Sequence, residues 1–522
     1  MDVGQFLDIA AHRRPRTTAI IFGKHRTTYQ GFRDRVLRLM TALSHLGVGK
    51  GDRVATLTWN RPEMMEVHLA ALRLGALFTP LNFRLREEEL AYVLGDSAPS
   101  VLVTDTRCAD TLGRVVEDYL SPERVFCTGG ATGRGFPPYE RLVEGQTPFR
   151  GRVNIQAADP CQLLYTSGTT ARPKGVVLTH ENVLWNAFNM IHARRDRPDD
   201  VALVVGPLFH AAALNSHFVP RLALGSTMVI SEKFDPEEMM QTVRREEVTV
   251  VPGNPTLFIM LLEHCSGKHY NASSVRTLTS GADKLPDPVK RALLELFPAC
   301  EGIFDVYGLT ECGPCVTCLD ARDSLRKTAC VGPPLPFVQV RLLDEKGRAV
   351  PTGNPGEVVV RGPNVMKGYY NLPEETDRVL RDGWFYSGDL ARADDEGFLY
   401  IVDRKKDMIV SGGENVSARE VEEVLFRHPD VLKAAVFGIP DPKWGEAVCA
   451  AVVPRPAKAP SPDAIASFLK QRLAGYKVPK RIYFLEHLPE SGTGKVRKAD
   501  LKKMFSASGK SSGPPAPDQG GP

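Results

Sequence analysis

Four apolar runs rich in β-branched residues end abruptly at Gly or Pro, and this pattern restricts the fold more than any other feature. The runs are VALVV before Gly206, VTVV before Pro252, VRTLTS before Gly281 and GIFDVY before Gly308. Such runs are typical of buried strands that open into loops. Helical segments lie between them, and one begins at Asp287 and Pro288, with Asp as the expected cap and Pro in the first turn. The alternation predicts an α/β fold, in which ligands collect at the carboxyl ends of the strands.

The length of 522 residues predicts more than one domain, because single hydrophobic cores rarely exceed about 250–300 residues. Residues 1–402 carry the α/β pattern and are expected to form one large domain of several subdomains. After about residue 403 the pattern changes to strand, helix, two strands, helix and strand, with Ser417 and Glu420 as a capping box. We therefore predict a small α+β domain over residues 407–505. From Ser506 to residue 522 the chain is rich in Gly, Pro and Ser, which predicts a disordered tail.

The charge balance argues against nucleic acid as a partner. The chain has 66 basic and 62 acidic residues, a formal net charge of +4, and no basic tract interleaved with aromatic residues. No window approaches the roughly 18 uninterrupted apolar residues of a membrane-spanning helix. The N-terminal segment has its basic cluster after its apolar residues, which is the wrong order for a secretory signal. A cytoplasmic protein without a transmembrane segment is expected.

The ten scattered cysteines indicate reduced thiols rather than a disulfide framework. Cys312, Cys315 and Cys318 are spaced by two residues, with Cys330 beyond, and such spacing can hold zinc or an iron–sulfur cluster. The same residues overlap a loop that has a better explanation below. Packing is therefore the preferred interpretation and a metal site the alternative.

The segment LLYTSGTTARPKGVVLTH, from Leu163 to His180, carries the strongest functional signal. An apolar run leads into a polar loop and is followed by a second apolar run; the loop contains Thr166, Ser167, Gly168, Thr169, Thr170 and Lys174. Glycine lets backbone N–H groups close around an anion, the hydroxyls donate further hydrogen bonds, and the lysine adds positive charge. Pro173 stands where the Walker pattern requires its second Gly. The segment predicts a polyphosphate site outside the common NTPase class, and the alternative is a Ser/Thr-rich turn with a solvated lysine.

Four further motifs follow in order along the chain. They are VYGLTE (306–311), YSGDL (386–390), DRKKDMIVSGGENV (403–416) and PESGTGKVRK (489–498). Together with the loop they resemble the acyl-adenylate-forming superfamily, which includes acyl-CoA synthetases, nonribosomal peptide adenylation domains and firefly luciferase. The resemblance extends to about residue 505 and favours the fatty or aromatic acid–CoA ligase branch. It implies a large N-terminal adenylate-forming domain, a hinge at residues 403–406 and a mobile C-terminal lid, with ATP, Mg²⁺ and coenzyme A as cosubstrates.

Residues in these motifs suit a nucleotide. Tyr307 can lay its ring against a base, Thr310 can donate to a phosphate, and Glu311 can bind Mg²⁺ through oxygen. Alone, Tyr307 would be interpreted as a half-buried core tyrosine. The Asp389 carboxylate can accept hydrogen bonds from both ribose hydroxyls. The alternative interpretation is an aspartate that stabilises a turn. The resemblance assigns Thr169 to the metal as well, and it adds the nucleotide contacts Gly281, Ala282, Asp305, Gly308 and Arg404.

The resemblance also implies roles in catalysis and in the movement of the small domain. Lys495 matches the catalytic lysine that moves over the substrate carboxylate and the α-phosphate, and Thr310, Lys174 and His210 are grouped with it as catalytic. Lys406 matches the hinge residue. The resemblance also implies a face along which a pantetheine arm passes, made of Ser411, Gly412 and Gly413. Without the resemblance, Lys495 and Lys406 would each be interpreted as a solvated surface charge.

His210 resembles the gate beside the acyl pocket of this family. Gating or orientation is favoured over general base catalysis, because an ionised carboxylate needs no deprotonation to attack phosphorus. The pocket is expected to include Asn215, Phe218, Asn254, Phe258, Gly281, Asp283, Gly308, Cys312 and Cys315. The set contains no evident cationic anchor for a second carboxylate, which favours an aromatic or medium-chain monocarboxylic acid as the substrate. Asp283 leaves recognition of an amine or hydroxyl open.

The implied activity is that of an AMP-forming acid–thiol ligase. An acid is activated by ATP as an acyl-adenylate with release of pyrophosphate, and the acyl group is then joined to coenzyme A with release of AMP. Transfer to a carrier protein or an amine stays open, as does a homodimer. A non-catalytic acyl-nucleotide sensor is disfavoured by the presence of Lys174, Glu311, Asp389, Arg404 and Lys495.

Overall fold

A computed structural model describes residues 2–130, 134–166, 172–405, 407–411, 414–456, 458–490 and 496–506. The strands are β1 Thr18–Phe22, β2 His25–Thr28, β3 Arg53–Leu57, β4 Leu77–Pro80, β5 Val101–Asp105, β6 Val125–Thr128, β7 Pro160–Thr166, β8 Lys174–Thr179, β9 Val201–Val204, β10 Thr227–Ile230, β11 Val250–Gly253, β12 Thr277–Gly281, β13 Ile303–Tyr307, β14 Thr317–Leu319, β15 Gln339–Leu343, β16 Gly356–Arg361, β17 Gly368–Tyr369, β18 Leu380–Arg381, β19 Trp384–Ala393, β20 Leu399–Arg404, β21 Ile409–Ser411, β22 Glu414–Val416, β23 Val431–Asp441, β24 Gly445–Pro454 and β25 Arg481–Phe484.

The α-helices are α1 Gln5–Arg13, α2 Tyr29–His45, α3 Pro62–Arg73, α4 Glu87–Ser97, α5 Ala109–Leu112, α6 His180–Arg194, α7 Val219–Leu224, α8 Pro236–Arg245, α9 Pro255–Cys265, α10 Asp287–Leu296, α11 Pro373–Val379, α12 Ala418–Leu425, α13 Pro462–Lys470 and α14 Lys498–Ser506. A π-helical segment, Ala212–Phe218, directly precedes α7. Among the described residues, no helix has the length and apolar character needed to cross a membrane.

The chain divides into two compact units. The first comprises Met1–Ser387 and Arg392–Tyr400, and the second comprises Gly388–Ala391 and Ile401–Pro522. The boundaries predicted from the sequence, including the hinge, stay predictions, because Lys406 lies outside the described residues.

The first unit contains a sheet of order β14–β13–β12–β11–β9–β10–β1–β2. In this sheet order, all neighbouring strands between β13 and β1 are parallel to each other. The edge strands β14 and β2 are antiparallel to their neighbours. The four predicted runs form β9, β11, β12 and β13, which confirms the α/β pattern. Apolar side chains of α8, α9 and α10 pack against this sheet in one buried cluster. Because the strands are parallel, the loops after Val204, Gly253, Gly281 and Tyr307 open at the same edge.

The first unit also contains a sheet of order β17–β8–β7–β4–β3–β5–β6. Its strands β7 and β8 form an antiparallel hairpin whose register pairs Thr166 with Lys174. The two-residue strand β17 covers β8, with Tyr369 opposite Val176. A further sheet of order β15–β16–β19–β18 follows along the chain.

The second unit is a small α+β structure around a sheet of order β22–β21–β24–β23, with β25 parallel to β24. The apolar faces of α12 and α13 pack in one cluster with the sheet. Leu501 of α14 belongs to a separate cluster. This arrangement contains the predicted order of strand, helix, two strands, helix and strand.

Three local predictions differ from the structure. Pro286 takes the cap position of α10, so Asp287 is the first helical residue rather than the cap. The Ser417 hydroxyl accepts from the Glu420 N–H at 3.1 Å, but the Glu420 carboxylate pairs with Lys477 Nζ at 2.6 Å. A competing cation therefore leaves only the first half of the capping box. Strand β11 continues through Pro252, which pairs with Thr279 of the parallel neighbour.

Candidate active site

Gly308 fixes the backbone at the end of β13. A Cβ atom at this position would overlap the carbonyl oxygen of Pro314 and lie 3.0 Å from the Cα atom of Cys315. Only glycine allows this close approach. The neighbouring strand β12 ends at Gly281, opposite Val306, and Ala282 follows with a positive φ of 71°. The strand end that carries Tyr307 is thus held against the next turn of chain.

Thr310 and Glu311 lie in that next turn, a short 3₁₀-helix over Thr310–Cys312. The Glu311 carbonyl accepts from the Met366 N–H at 2.8 Å, which fixes its backbone. The Tyr369 hydroxyl donates to Glu311 Oε1 at 2.9 Å. Burial, followed by the neighbouring Glu311, raises the pKa of Tyr369 above its ordinary value, so the phenol stays protonated and keeps donating.

Glu311 suits a magnesium ion by its donor chemistry. Mg²⁺ prefers oxygen ligands and usually takes one or two protein carboxylates. A carboxylate has about four acceptor positions, so the single bond from Tyr369 leaves capacity for a cation. Thr169, the other predicted metal contact, lies outside the described residues, as do Ser167, Gly168 and Thr170.

Lys174 begins β8, where the chain leaves the predicted phosphate loop. Its Nζ pairs with Glu375 Oε2 at 2.6 Å and lies 5.2 Å from the centre of the Tyr369 ring. The hydrogen bond from Lys174 holds the pKa of Glu375 below its usual value. Across the hairpin, the Thr166 hydroxyl lies 3.5 Å from the Lys174 carbonyl oxygen. The lysine side chain is 13% exposed, so it is not fully removed from solvent.

Asp305 is engaged inside the first unit. Its carboxylate pairs with Lys290 Nζ at 2.5 Å, and the same ammonium donates to the Ser324 carbonyl at 3.0 Å. Burial raises the pKa of Asp305 although Lys290 opposes the shift. The side chain thus makes a structural ion pair, and the predicted contact with a nucleotide stays a prediction.

His210 and Asn215 flank the start of the π-helical segment. The rings of Phe209 and His210 lie 4.3 Å apart between centroids, and the His210 carbonyl accepts from the Leu214 N–H at 3.0 Å. Asn215 is fully buried and exchanges two amide hydrogen bonds with Gln162 of β7, at 2.9 and 2.7 Å. The segment is therefore tied to the strand that leads into Thr166.

Two predicted aromatic pocket residues are fully buried. Phe218 is 0% exposed and lies against the His68 ring, with centroids 6.2 Å apart. Phe258 is also 0% exposed and belongs to the core cluster of the first sheet. A Cβ atom on Gly253 would lie 2.8 Å from the Phe258 ring, so the ring packs closely beneath the end of β11.

The remaining predicted pocket residues make local contacts. Asn254 caps α9 by accepting from the Leu257 N–H at 2.8 Å, and Asp283 accepts from the Lys284 N–H at 2.8 Å. Cys312 and Cys315 are buried, and burial raises the pKa of Cys315 to about 11. The Cys315 thiol is therefore a poor nucleophile, and contact of either cysteine with the acid stays a prediction.

Asp389 and Arg404 both belong to the second unit. Arg404 Nε pairs with Asp389 Oδ1 at 3.0 Å, with the carboxylate 6% and the guanidinium side chain 41% exposed. Ser411 ends β21 and is buried. The predicted residues Lys406, Gly412, Gly413 and Lys495 lie outside the described residues.

Comparisons with known proteins agree with this arrangement. The family of AMP-binding enzymes matches residues 7–370, and the AMP-binding enzyme C-terminal domain matches residues 420–495. The chain belongs to the AMP-binding enzyme family.

Relatives of this AMP-binding enzyme act on carboxylic acids by name. A feruloyl-CoA synthase of Amycolatopsis sp. is 41% identical over 95% of the chain and 97% of that protein. The indoleacetate–CoA ligase of Aromatoleum aromaticum is 36% identical over 97% of the chain and 98% of that protein. Among solved structures, o-succinylbenzoate CoA synthetase from Bacillus subtilis, in complex with its acyl-adenylate, has a TM-score of 0.86 at 30% identity and covers 95% of this chain and 98% of its own.

The family resemblance and the fold class predicted from the sequence are confirmed. So is the predicted activity, which is AMP-forming ligation of an acid to coenzyme A through an acyl-adenylate, with ATP and Mg²⁺. The roles of individual residues stay predictions.

The sequence interpretation missed three side chains that contact the predicted site residues of this AMP-binding enzyme. Gln162 holds Asn215, and Tyr369 contacts both Glu311 and Lys174. Glu375 pairs with Lys174. Glu375 had a detectable signal, because Pro373 opens a helix whose first turn carries two acids. Tyr369 had none, since its partners are distant in sequence.

Proposed function

We propose that this AMP-binding enzyme activates an aromatic monocarboxylic acid. The proposal is supported by relatives whose names give ferulate and indoleacetate as acids, at 41% and 36% identity. Activation by ATP is supported by one structural observation, namely that Tyr369 contacts both Lys174 and Glu311. A cation for phosphate and an oxygen ligand for Mg²⁺ side by side are what a nucleotide polyphosphate requires.

In the first step, the acid carboxylate attacks the α-phosphorus of ATP. A bond forms between the carboxylate oxygen and the α-phosphorus, the bond from the α-phosphorus to the oxygen that bridges to the β-phosphate breaks, and pyrophosphate leaves with that oxygen. Thr166, Ser167, Gly168, Thr170 and Lys174 hold the departing phosphates. Glu311 and Thr169 hold Mg²⁺, which when bound neutralises charge on the phosphate oxygens.

Other residues place the reactants. Tyr307 contacts the adenine, Gly281, Ala282 and Gly308 line its site, and Thr310 donates to the α-phosphate. Asp389 holds the ribose and Arg404 contacts the nucleotide. His210 orients the acyl group, and Lys495 stabilises the charge that develops on the phosphoryl oxygens.

In the second step, the small unit turns about Lys406 and Lys495 withdraws. The thiol of coenzyme A approaches along Ser411, Gly412 and Gly413 and attacks the acyl carbonyl. A C–S bond forms, the bond to AMP breaks, and the thiol proton passes to solvent. One site that performs two reactions needs two conformations.

We further propose that the protein works in the cytoplasm as a homodimer and that it does not also transfer the acyl group to a carrier protein. The ten cysteines all lie among the described residues and are free thiols, which suits a reducing compartment. Light scattering of the purified protein tests the homodimer.

A panel of acids tests the substrate class. Ferulate, indoleacetate, benzoate, octanoate and decanoate are compared by pyrophosphate release with and without coenzyme A, at matched ATP and Mg²⁺. We expect the highest kcat/KM with an aromatic acid, and thioester formation only with coenzyme A. Faster turnover of the aliphatic acids would overturn the aromatic assignment, and pyrophosphate release without any thioester would favour a carrier or amine acceptor.

Lys495→Ala tests the two-step scheme. We expect adenylation to fall by about 10²–10³-fold, the usual effect of removing one preorganised charge contact. Thioester formation from supplied acyl-adenylate should stay close to wild type. Lys498→Ala is the matched control, because Lys498 is a nearby lysine that pairs with Glu422 at 2.8 Å. Normal adenylation by Lys495→Ala contradicts the role.

A further inference from the structure

We propose that Tyr369 is a positioning residue for the magnesium–nucleotide complex, because its side chain contacts both Glu311 and Lys174. The inference rests on the proposed function of Glu311 as a magnesium ligand and of Lys174 as a phosphate contact. It adds a residue from a segment that supplied none of the predicted site residues.

The two ends of the Tyr369 side chain act on opposite charges. The hydroxyl donates to Glu311 Oε1 at 2.9 Å, and the ring centre lies 5.2 Å from Lys174 Nζ. The latter distance falls within the roughly 6 Å over which a cation is attracted to an aromatic face. One side chain therefore orients an anion with its edge and a cation with its face.

The backbone of Tyr369 is fixed on both sides. Its N–H donates to Thr376 Oγ1 at 2.9 Å, and its Cα is paired with Val176 of β8. The next residue, Tyr370, donates its N–H to the Gly175 carbonyl at 2.7 Å. The ring is thus held at a constant position relative to the strand that leaves the phosphate loop.

A hydrogen bond to one carboxylate oxygen restricts the rotation of Glu311. Outer partners of this kind orient metal ligands, and their removal typically lowers metal affinity or activity by about 10–100-fold. The contact between the ring and Lys174 acts separately, because it needs no hydroxyl. The two contacts can therefore be removed one at a time.

Tyr369→Phe removes only the contact with Glu311. ATP binding is measured by isothermal titration calorimetry over a series of Mg²⁺ concentrations and in EDTA. We expect the half-saturating Mg²⁺ concentration to rise about tenfold, with ATP affinity in EDTA unchanged. Tyr369→Leu removes the ring as well, and ATP affinity in EDTA should then also fall, by about two- to fivefold.

Steady-state kinetics separate positioning from a general structural effect. Tyr369→Phe should raise the KM for ATP at limiting Mg²⁺ and leave the KM for the acid and for coenzyme A unchanged. Equal increases in all three KM values would overturn the inference. Thermal unfolding of each variant verifies that it is folded, and the ring retained in Tyr369→Phe keeps the packing.

Two reference variants make the outcome decisive. Tyr370→Phe removes the hydroxyl of the adjacent tyrosine and should leave the Mg²⁺ dependence of ATP binding at the wild-type value. Glu311→Gln should abolish much of that dependence. If Glu311→Gln does so and Tyr369→Phe has no effect, the inference is wrong and the proposed function stands. If Glu311→Gln has no effect, the metal role of Glu311 and the inference both fail.

Discussion

Two groups of charged residues in the first unit differ in how completely they are removed from water. The buried ionic cluster, defined by Arg194, Asp196, Asp200 and Arg221, has side chains 0–1% exposed. Asp196 pairs with both arginines at 2.8 Å, and Arg221 also reaches Asp200 at 3.0 Å. If one of these ion pairs broke, a charge would be left unpaired in the apolar interior. The partners are therefore fixed.

The phosphate-side charges, defined by Lys174, Glu311 and Glu375, are arranged in another way. Lys174 is 13% and Glu375 24% exposed, and they are joined by one contact of 2.6 Å. Water can replace such a contact, so an incoming phosphate can compete for the lysine. In these two groups, the fully buried charges support the fold, whereas the partly exposed ones can serve a ligand.

Arg221→Ala should have the largest effect on stability and is the strongest test of this comparison. It leaves Asp196 and Asp200 buried with fewer partners, and breaking a buried pair typically costs about 3–5 kcal/mol. Urea unfolding measures the loss. A variant that unfolds at the wild-type urea concentration would show that the cluster is not structural.

Lys174→Ala should show the opposite pattern. We expect adenylation to fall by about 10²–10³-fold, with a change of less than about 1 kcal/mol in the free energy of unfolding, since the pair is partly exposed. Pyrophosphate exchange measures the rate. Lys50→Ala is the control, because Lys50 also pairs with a carboxylate, that of Asp159, at 2.5 Å. Equal rates for the two variants would remove Lys174 from the site.

The pH dependence of stability tests the burial of His217. Its Nδ1 lies 3.1 Å from Arg194 Nη1, and burial, followed by Arg194 and Arg221, lowers its pKa well below 6.5. Below about pH 6.5 the imidazole of His217 therefore binds a proton in the unfolded chain but stays neutral in the folded protein. Stability is complete above that pH and falls below it, with a limiting slope of about 1.4 kcal/mol per pH unit.

His217→Asn isolates this contribution. Asparagine keeps an acceptor for Arg194 and does not titrate, so the slope of unfolding free energy between pH 6.5 and 5 should flatten by about 1 kcal/mol per pH unit. Urea unfolding at several pH values gives the slope. An unchanged slope contradicts a buried neutral histidine.

Arg26→Ala should have the smallest effect. Arg26 pairs with Glu246 at 2.8 Å, with side chains 51% and 5% exposed, and Glu246 keeps a second partner in Arg245 Nε at 2.9 Å. Pairs that involve an exposed arginine contribute about 0–1 kcal/mol. A loss as large as that of Arg221→Ala would show that exposure does not separate the two kinds of charge.

The sequence predicted most where the pattern is local. Strands β9, β11, β12 and β13 were detectable because a buried parallel strand is a continuous apolar run that ends at Gly or Pro. The glycine at 308 was assigned from its motif, and the structure adds the reason, which is contact with the backbone of Pro314.

Contacts between distant segments could not be predicted in this way. Lys174 and Glu375 are 201 residues apart, and Lys290 of α10 pairs with Asp305 of β13. The π-helical geometry of Ala212–Phe218 also has no sequence signal comparable to a cap or a turn. These features depend on tertiary packing, which a single sequence does not reveal.

Strand β17 has a consequence for solubility. It is the outer strand of its sheet, and without it β8 would present a row of unpaired N–H and C=O groups. Lys367 and Tyr370 extend the cover by donating to the Val177 and Gly175 carbonyls at 3.0 and 2.7 Å. A bare edge strand is a template for pairing with another chain. Variants that detach this short strand are therefore expected to aggregate as well as to bind nucleotide poorly.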